Sequence, residues 1–195
     1  MTDTALKNPI VTAVLAVKNG EDVSALGSST PLTVGGKSVQ KSVSITRPAD
    51  TTAYAANDVV ANSTTAPTLL SFLNCANAAA GQGYIVKVRL MTDQKTCTAR
   101  FRLSFYHTAP TPINDNDVKT MLYANKDKLI GQIDLDACAT EDATNSTAAY
   151  SQSTTLLPYV LASGSTSIYC ILSTLDAFTP ASGQQFYLEI TCELS

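Results

Sequence analysis

The chain of 195 residues is long enough for one domain with a hydrophobic core, or for one domain and an arm, but short for two domains. Only 15% of its residues are charged, against about 25% in an average globular protein, and its formal net charge is -3. A weakly acidic chain has no general attraction for phosphate backbones, so we expect no nucleic-acid partner. No apolar run reaches the roughly 18 to 20 residues that span a bilayer, so we expect no membrane partner.

The first 36 residues combine one short apolar run with several turn-forming breaks. Ile10–Val17 (IVTAVLAV) is predicted to be a strand rather than a signal-peptide core, because no net positive charge precedes it and no small-residue cleavage site follows. Gly, Ser and Pro breaks come next, among them GSSTP. This pattern predicts an N-terminal strand and extended arm over residues 1–36 and a separate domain over residues 37–195.

From Val39 onward, apolar and polar residues alternate with the period of two that is typical of half-buried strands. Five further segments are short, rich in β-branched or aromatic residues, and bounded by Gly, Pro, Ser or Asp: YIVKVRLMT, CTARFRLSFYH, LIGQIDL, SIYCILSTL and QQFYLEITCEL. At most one segment, DNDVKTMLYA, has the pattern of a helical turn or two. The sequence therefore predicts an all-β fold, an antiparallel β-sandwich, with the jelly roll as its narrower form.

The short sequence DQK between YIVKVRLMT and CTARFRLSFYH predicts an antiparallel hairpin. Such a hairpin brings four cations to one sheet face in two facing pairs, Lys87 with Arg102 and Arg89 with Arg100. Like charges directly opposite one another destabilise a sheet unless acidic residues or a partner lie against them. The four residues are therefore predicted contacts for a partner. The alternative is a different register, or long side chains that extend into solvent.

The segment SFYHTAPTPINDND contains the chain's only histidine, His107, at the end of a predicted strand. Nucleophilic catalysis requires a nucleophile with His as its base and a third group that orients the imidazole, and the sequence has no G-x-S-x-G elbow. We expect a partly buried, locally hydrogen-bonded histidine. Asn114–Asp117 is interpreted as turn-forming and capping residues, because the EF-hand spacing that calcium binding would require is absent. A calcium site is the alternative. The carboxylates of Asp134–Asp142 are expected to be solvated. No catalytic, cofactor or metal site is predicted.

Five cysteines are scattered along the chain without a C-x-x-C pair, so a zinc site is not predicted. The absence of an export signal favours reduced thiols in a protein made in the cytoplasm. Cys97 and Cys170 lie in predicted strands and are expected to be buried. Cys75 and Cys138 lie near predicted turns, and they are the candidates for bonds within or between subunits if the protein meets an oxidising exterior.

The order of five segments resembles that of small structural proteins encoded with the head genes of tailed bacteriophages: SITRPADTTAYAANDVV, YIVKVRLMT, ARFRLSFYHTAPTPINDND, LIGQIDL and LDAFTPASGQQFYLEITCEL. Many such proteins carry R-P-x-D-x-x-x-Y-x-x-x-D-V-V, a strand ending in an S-P-T-x-x-x-D-N-type loop, an I-G-x-I-x-L strand and a terminal T-P-x-S before a strand. The resemblance covers about residues 40–195. Asn57 stands where Gly is common, and Thr108-Ala109 where Ser or Asn usually precedes Pro110; both changes are conservative for turns.

The resemblance implies a virion protein, and most specifically a decoration or cement protein that stabilises the outer capsid surface. The host cytoplasm would be its place of synthesis, the major capsid protein its partner, and a homo-oligomer its assembled form. No catalytic residues belong to such a family, so we do not expect an enzyme. The alternative is a receptor- or glycan-binding domain of a phage fibre or tail, although the absence of Trp weakens the case for glycan stacking. A polysaccharide hydrolase would need two positioned carboxylates, and no such pair is singled out.

Overall fold

The computed structural model describes residues 37–142 and 144–195, and within these ranges the regular structure is eight strands and one short 3-10 helix, Tyr123–Lys128. The strands are β1 (Lys37–Thr46), β2 (Leu70–Phe72), β3 (Gln82–Thr92), β4 (Phe101–Tyr106), β5 (Leu129–Leu135), β6 (Ala149–Val160), β7 (Ile168–Thr174) and β8 (Gln185–Leu194). No helix in the described ranges has the length and apolar character needed to cross a membrane. The predicted N-terminal strand and arm, residues 1–36, lie outside the described residues.

The eight strands form two four-stranded antiparallel sheets. The first sheet has the order β1-β8-β3-β6, and the second has the order β2-β7-β4-β5. Each strand of the first half of the chain pairs with its counterpart in the second half, so that the pairs β1–β8, β2–β7, β3–β6 and β4–β5 are nested. The prediction of an all-β antiparallel sandwich is confirmed.

The inner faces of the two sheets form one hydrophobic core. Strand β8 shows the predicted alternation most clearly, with Phe186, Leu188, Ile190 and Cys192 all buried in this core. The ring of Phe101 in β4 meets Phe186 edge to face with 5.5 Å between the centroids, which joins the two sheets directly. The alternation recognised in the sequence is therefore the alternation between core and outer face.

The predicted β3–β4 hairpin is wrong. Strand β3 lies between β8 and β6 in the first sheet, whereas β4 lies between β7 and β5 in the second. The connection from Thr92 to Phe101 crosses between the sheets, and its residues Cys97 and Ala99 are buried in the core without belonging to a strand. A connection that packs against the core can show the same alternation of apolar residues as a strand, so the sequence alone does not distinguish the two.

The predicted inner face of β3 was also partly wrong, because a β-bulge shifts its alternation. The register shifts between Ile85 and Lys87 against both neighbouring strands: Val86 is the extra residue against β8, whereas the extra residue against β6 lies on β6 itself. Ile85, Val88 and Leu90 are consequently the buried positions. Strict alternation through YIVKVRLMT predicts Tyr84, Val86, Val88 and Leu90 on one inner face, but Tyr84 is exposed. A bulge changes the side-chain phase by one residue and cannot be recognised from period-two alternation alone.

Candidate interaction surface

The segment that follows β1, RPADTTAYAANDVV, brings a buried arginine to a buried carboxylate. Arg47 donates through Nη2 to Oδ2 of Asp115 at 2.9 Å, and the two side chains are 0% and 1% exposed. The hydroxyl of Tyr54 accepts a hydrogen bond from Nε of Arg47 and donates to Oδ1 of Asp115 at 2.6 Å. The backbone amide of Ala61 donates to the same oxygen at 2.8 Å. This network fixes a loop residue to a segment that lies 68 residues earlier in the chain.

The ionisation of this network follows from its burial. Burial raises the pKa of Tyr54, and its hydrogen bond to Asp115 raises that pKa further, so the phenol keeps its proton and remains a donor. Burial lowers the pKa of Arg47, but the contacts with Tyr54 and Asp115 outweigh it and the net shift is upward. The arginine and tyrosine of the R-P-x-D-x-x-x-Y motif therefore act as a structural anchor in this chain.

Backbone hydrogen bonds also join the segment after β1 to the loop between β4 and the 3-10 helix. The Val59 amide donates to the carbonyl of Asp117 at 2.9 Å, and the Lys119 amide donates to the carbonyl of Asn57 at 2.8 Å. Asn57 has a φ of 73°, in the left-handed region that Gly adopts freely and Asn tolerates better than most residues. Asn57 thus supplies at this turn the backbone conformation that Gly would supply.

Lys119 also ties the loop to the outer face of the second sheet. Its Nζ donates to Oγ of Ser104 in β4, and Nε2 of Gln132 in β5 donates to the same oxygen at 3.1 Å. Burial lowers the pKa of Lys119, and the nearby charge of Arg102 lowers it further. Ser104 is 0% exposed, so this Ser–Lys contact offers no open path to a substrate. It holds the loop on the sheet.

Beyond these anchors the loop exposes a run of apolar side chains. Val118, Met121, Leu122 and Tyr123, which we call the apolar loop, are 60%, 42%, 65% and 82% exposed. They are half of the eight large hydrophobic residues exposed in the described part of the chain. Large apolar side chains exposed together in one short segment, rather than singly across the surface, indicate a protein interaction site. Because its stem is fixed by the buried anchor, the apolar loop is presented on a preorganised base.

The structure places the four predicted partner cations on two different faces. Lys87 and Arg89 lie on β3 in the first sheet, where Nη2 of Arg89 is 2.8 Å from Oε2 of Glu189 on β8. Arg100 precedes β4 and Arg102 lies within it, in the second sheet. The predicted single patch of four cations is therefore wrong, although contact of each residue with a partner stays a prediction.

The two arginines near β4 each hold a carboxylate. Arg100 binds Asp176 through Nη2 at 2.7 Å and Nε at 3.0 Å, and these hydrogen bonds lower the pKa of Asp176 to about 2. Arg102 binds Asp134, its cross-strand neighbour on β5, and its hydrogen bond lowers the pKa of that carboxyl. Asp134 had been expected to be solvated, but it is half of a surface ion pair.

His107 has the local role that the sequence predicted. Its Nε2 lies 2.5 Å from the carbonyl oxygen of Asp127, and its Nδ1 lies 3.0 Å from the hydroxyl of Thr108. Because a carbonyl can only accept, the proton is assigned to Nε2 and Nδ1 accepts from Thr108. The ring is partly exposed, as expected, and it joins the end of β4 to the 3-10 helix.

The Asn/Asp-rich stretches are occupied by turn hydrogen bonds. Nδ2 of Asn114 donates to Asp117 at 3.0 Å, while Asp115 belongs to the buried network. Asp142 accepts hydrogen bonds from the backbone of Thr144 and the side chain of Asn145. Across residues 37–142 and 144–195, no three His, Cys, Asp or Glu side chains are grouped in a way that could hold a metal ion.

All five cysteines are buried free thiols. Burial was predicted for Cys97 and Cys170 and is confirmed. The expectation that Cys75 and Cys138 lie accessibly at turns is wrong, because both are packed into the core next to another cysteine. Their assignment as intersubunit thiols stays a prediction that the fold does not favour.

Sequence reasoning missed both the anchor and the apolar loop. The segment DNDVKTMLYA was interpreted as a helical turn or two, and the 3-10 helix begins only at Tyr123. The available signal was a run of large apolar residues beside an Asn/Asp-rich turn, without the period of a strand or an amphipathic helix. The partner of Arg47 could not be found in this way, because no local pattern connects it to Asp115.

Comparisons with known proteins leave the family open. No protein-family model matches the chain, and no curated protein matches it. Among solved structures, a chain of the "Cyanophage Pam1 capsid asymmetric unit" is similar at a TM-score of 0.34 and 15% sequence identity, over 92% of this chain and 99% of that chain. A TM-score at this level does not establish a shared fold.

Proposed function

We propose that the protein is a non-enzymatic virion structural protein, a decoration or cement protein that binds the outer surface of a phage capsid. The motif order of residues 40–195 and the antiparallel sandwich support this assignment. The nested strand pairs further support a sandwich of the jelly-roll type, which is widespread in viral capsid domains. The partner is then the major capsid protein, and copies of the chain associate on the shell.

The observation that carries this proposal is the apolar loop on its fixed stem. Four exposed apolar side chains within six residues are unfavourable in water, and a partner surface that covers them gains the free energy of their burial. Tyr123, the most exposed of them, is of a residue type enriched at the energetic centres of interfaces. The buried Arg47–Asp115 anchor reduces the ordering cost of binding, because the loop stem is already fixed.

The surface cations have a secondary part in this proposal. Arg89, Arg100 and Arg102 each have a carboxylate partner within the chain, so a partner must compete with an existing ion pair. Such residues at the rim of an interface influence association rate and salt dependence more than affinity. Apolar contact at the loop therefore supplies most of the binding free energy, and the cations supply orientation.

Co-sedimentation with capsid shells that lack this protein tests the proposal. Replacing Leu122 and Tyr123 together with Ser should weaken binding at least about tenfold, since both lose apolar burial at the interface centre. Leu156→Ser is the matched control, because Leu156 is equally exposed, at 68%, but lies on β6 of the other sheet. Binding should survive that change.

Two results would contradict the proposal at different levels. If the wild-type chain does not sediment with any shell at low or physiological salt, the capsid assignment is wrong. If it sediments and Leu156→Ser weakens binding more than the double change, the docking surface is the outer face of the first sheet rather than the apolar loop.

The alternative of a receptor- or glycan-binding domain rests on the exposed ring of Tyr123. Nζ of Lys126 lies 4.8 Å from the ring centroid and covers one face, which leaves the other face for stacking on a sugar. Tyr123→Leu separates the two functions, because Leu retains apolar burial but cannot stack. Loss of binding to host-surface glycans with retained binding to shells would favour the alternative for this residue.

A further inference from the structure

Four of the five cysteines lie in two facing pairs. Cys97, in the crossing from β3 to β4, shares a thiol–thiol hydrogen bond with Cys138, which follows β5. Cys75, which follows β2, shares one with Cys192 of β8. The pairs connect parts of the chain that are distant in sequence, so each contact is a product of the tertiary fold.

The backbone around each pair holds the sulfur atoms in place. The Cys138 amide donates to the carbonyl of Ala99 at 3.3 Å, which brings the two connections together two residues from Cys97. The Cys75 amide donates to the carbonyl of Thr166 at 2.7 Å, and the Tyr159 hydroxyl donates to the Cys75 carbonyl. The other member of each pair is held as well, since the Cys97 amide donates to the carbonyl of Gln94 at 3.0 Å and Cys192 lies opposite Ile85 in the β8–β3 pairing.

We propose that these pairs are two oxidation sites, at which a small soluble disulfide such as glutathione disulfide converts Cys97–Cys138 and Cys75–Cys192 into disulfide bonds within one chain. Cys170 remains as a thiol, because it is buried on β7 and is the one cysteine that belongs to neither pair. The protein is then reduced when made in a cytoplasm and becomes cross-linked when a particle meets an oxidising exterior.

The chemistry is two successive thiol–disulfide exchanges at each pair. The thiolate of Cys97 attacks one sulfur of the small disulfide, a small thiolate leaves, and a mixed disulfide forms. Cys138 then loses its proton to solvent and attacks the Cys97 sulfur, which displaces the second small thiolate. Two protein thiols are oxidised and one small disulfide is reduced to two thiols, so atoms and electrons balance.

In each pair one thiol has a lowered pKa and therefore ionises before its partner. The hydrogen bond from Cys138 lowers the pKa of Cys97 to about 7, against the opposing effect of burial. The contact with the Cys75 thiol, which also donates to the Phe72 carbonyl at 3.3 Å, likewise lowers the pKa of Cys192, and the charge of Lys41 acts in the same direction. Because all four thiols are buried, the small disulfide reaches them through local opening or during folding.

The test uses the full chain, purified with reductant and then divided into two portions. One is incubated in the native state with glutathione disulfide, and the other is unfolded in urea and refolded in a glutathione redox buffer. The expected product has lost the mass of about four hydrogens and melts roughly 10 °C higher than the reduced protein, and added reductant reverses both changes.

Peptide mapping without reductant identifies the bonds. Trypsin together with a protease that cleaves after Glu separates all five cysteines, because Lys128, Glu141 and Glu189 lie between the cysteine-bearing segments of the C-terminal half. The expected linked peptides contain Cys97 with Cys138, and Cys75 with Cys192.

Two variants serve as controls. Cys170→Ala should retain both bonds, whereas Cys138→Ser should retain only the Cys75–Cys192 bond and leave Cys97 as a thiol or as a mixed disulfide with glutathione. A bond that includes Cys170, disulfide-linked dimers on a non-reducing gel, or free thiols at any of the four paired cysteines after refolding of the wild type in the redox buffer would each overturn the assignment. These outcomes do not depend on capsid binding, so they leave the proposed function untouched.

Discussion

The guanidinium of Arg47 donates to the carboxylate of Asp115 at 2.9 Å, and both side chains are almost completely excluded from solvent. Burying two opposite charges is costly unless each is paired and hydrogen-bonded. Tyr54 and the Ala61 amide supply the additional hydrogen bonds to the carboxylate. The pair therefore specifies where the loop that follows β4 attaches, and the position of the apolar loop depends on it.

Removing the charge of Asp115 should disrupt the buried network and destabilise the fold. We expect Asp115→Asn to lower the free energy of unfolding by about 3 to 5 kcal/mol, because Arg47 loses its buried counterion and keeps only the partly exposed carboxylate of Asp50 at 3.4 Å. Urea denaturation followed by circular dichroism measures the change. Asp117→Asn is the matched control in the same loop; Asp117 is exposed, and its loss should cost about 0.5 kcal/mol or less. Equal losses for the two variants would show that the buried pair does not stabilise the fold.

Because Asn57 has a positive φ, we expect a change to Gly at this position not to destabilise the fold. Asn57→Gly should leave the stability unchanged or raise it by up to about 1 kcal/mol, because Gly adopts a φ of 73° without strain. Ala56→Gly, at the exposed neighbouring position, should instead lower stability, since it only adds freedom to the unfolded chain. If both changes destabilise equally, the conformation of Asn57 is not the reason for its place in the turn.

Where local alternation decided the structure, the sequence predicted it well. LIGQIDL matches β5 residue for residue, and the cores of β1, β7 and β8 lie within the predicted segments. Strand β6 was missed because its sequence, SQSTTLLPYV, is rich in Ser and Thr and contains Pro158. Within the described residues β6 is an edge strand whose one partner strand is β3, with a single bridge from Tyr150 to Ala139 on its other side, and an edge strand tolerates both polar residues and proline.

Where two distant segments decided the structure, the sequence could not predict it. The crossing between β3 and β4 has the same turn signal as a hairpin, and only the pairing of β3 with β8 shows that the chain changes sheets. The Arg47–Asp115 pair and the cysteine pairs depend on that same topology. The motif that contains Arg47 and Tyr54 was recognised, but its buried partner lies in a different motif of the chain.

The ion pair on the first sheet is more buried than the one beside β4, so charge removal should affect the two differently. Arg89→Gln should lower the free energy of unfolding by about 1 to 3 kcal/mol, because Glu189, with a side chain 7% exposed, loses its cation. Arg100→Gln should cost less, since Arg100 is largely exposed and water solvates Asp176 in its place. Urea denaturation of both single variants provides the comparison, and a larger loss for Arg100→Gln would contradict it.

The eight strands of the described residues share one core, so the contribution of the predicted N-terminal arm, residues 1–36, to folding can be tested by removing it. A chain beginning at residue 37 should fold, with a cooperative urea transition and a β-type circular dichroism spectrum, because the described residues form two paired sheets around one hydrophobic core. Binding to capsid shells should weaken if residues 1–36 contact a neighbouring subunit. A truncated chain without a cooperative transition would show that residues 1–36 belong to the domain.

The contact between Arg100 and Asp176 makes stability depend on pH in the acidic range. Hydrogen bonds from Arg100 lower the pKa of Asp176 to about 2, against about 3.9 for an unperturbed aspartate. Because the pKa is lower in the folded state, the carboxylate contributes stability above about pH 4, and that contribution is lost as the pH falls toward 2. Asp176→Asn should therefore be less stable than the wild type at about pH 5 and equal to it near the lower limit.

Urea midpoints of the two proteins at several pH values measure this dependence, at low salt because an exposed pair is screened by ions. Asp136→Asn removes the same charge from an exposed position near Arg100, and it controls for the general effect of net charge. The difference in stability between Asp136→Asn and the wild type should change less with pH, because Arg100 donates its side-chain hydrogen bonds to Asp176. A constant difference between Asp176→Asn and the wild type from about pH 5 to pH 2 would mean that this ion pair does not contribute to the acid sensitivity of the fold.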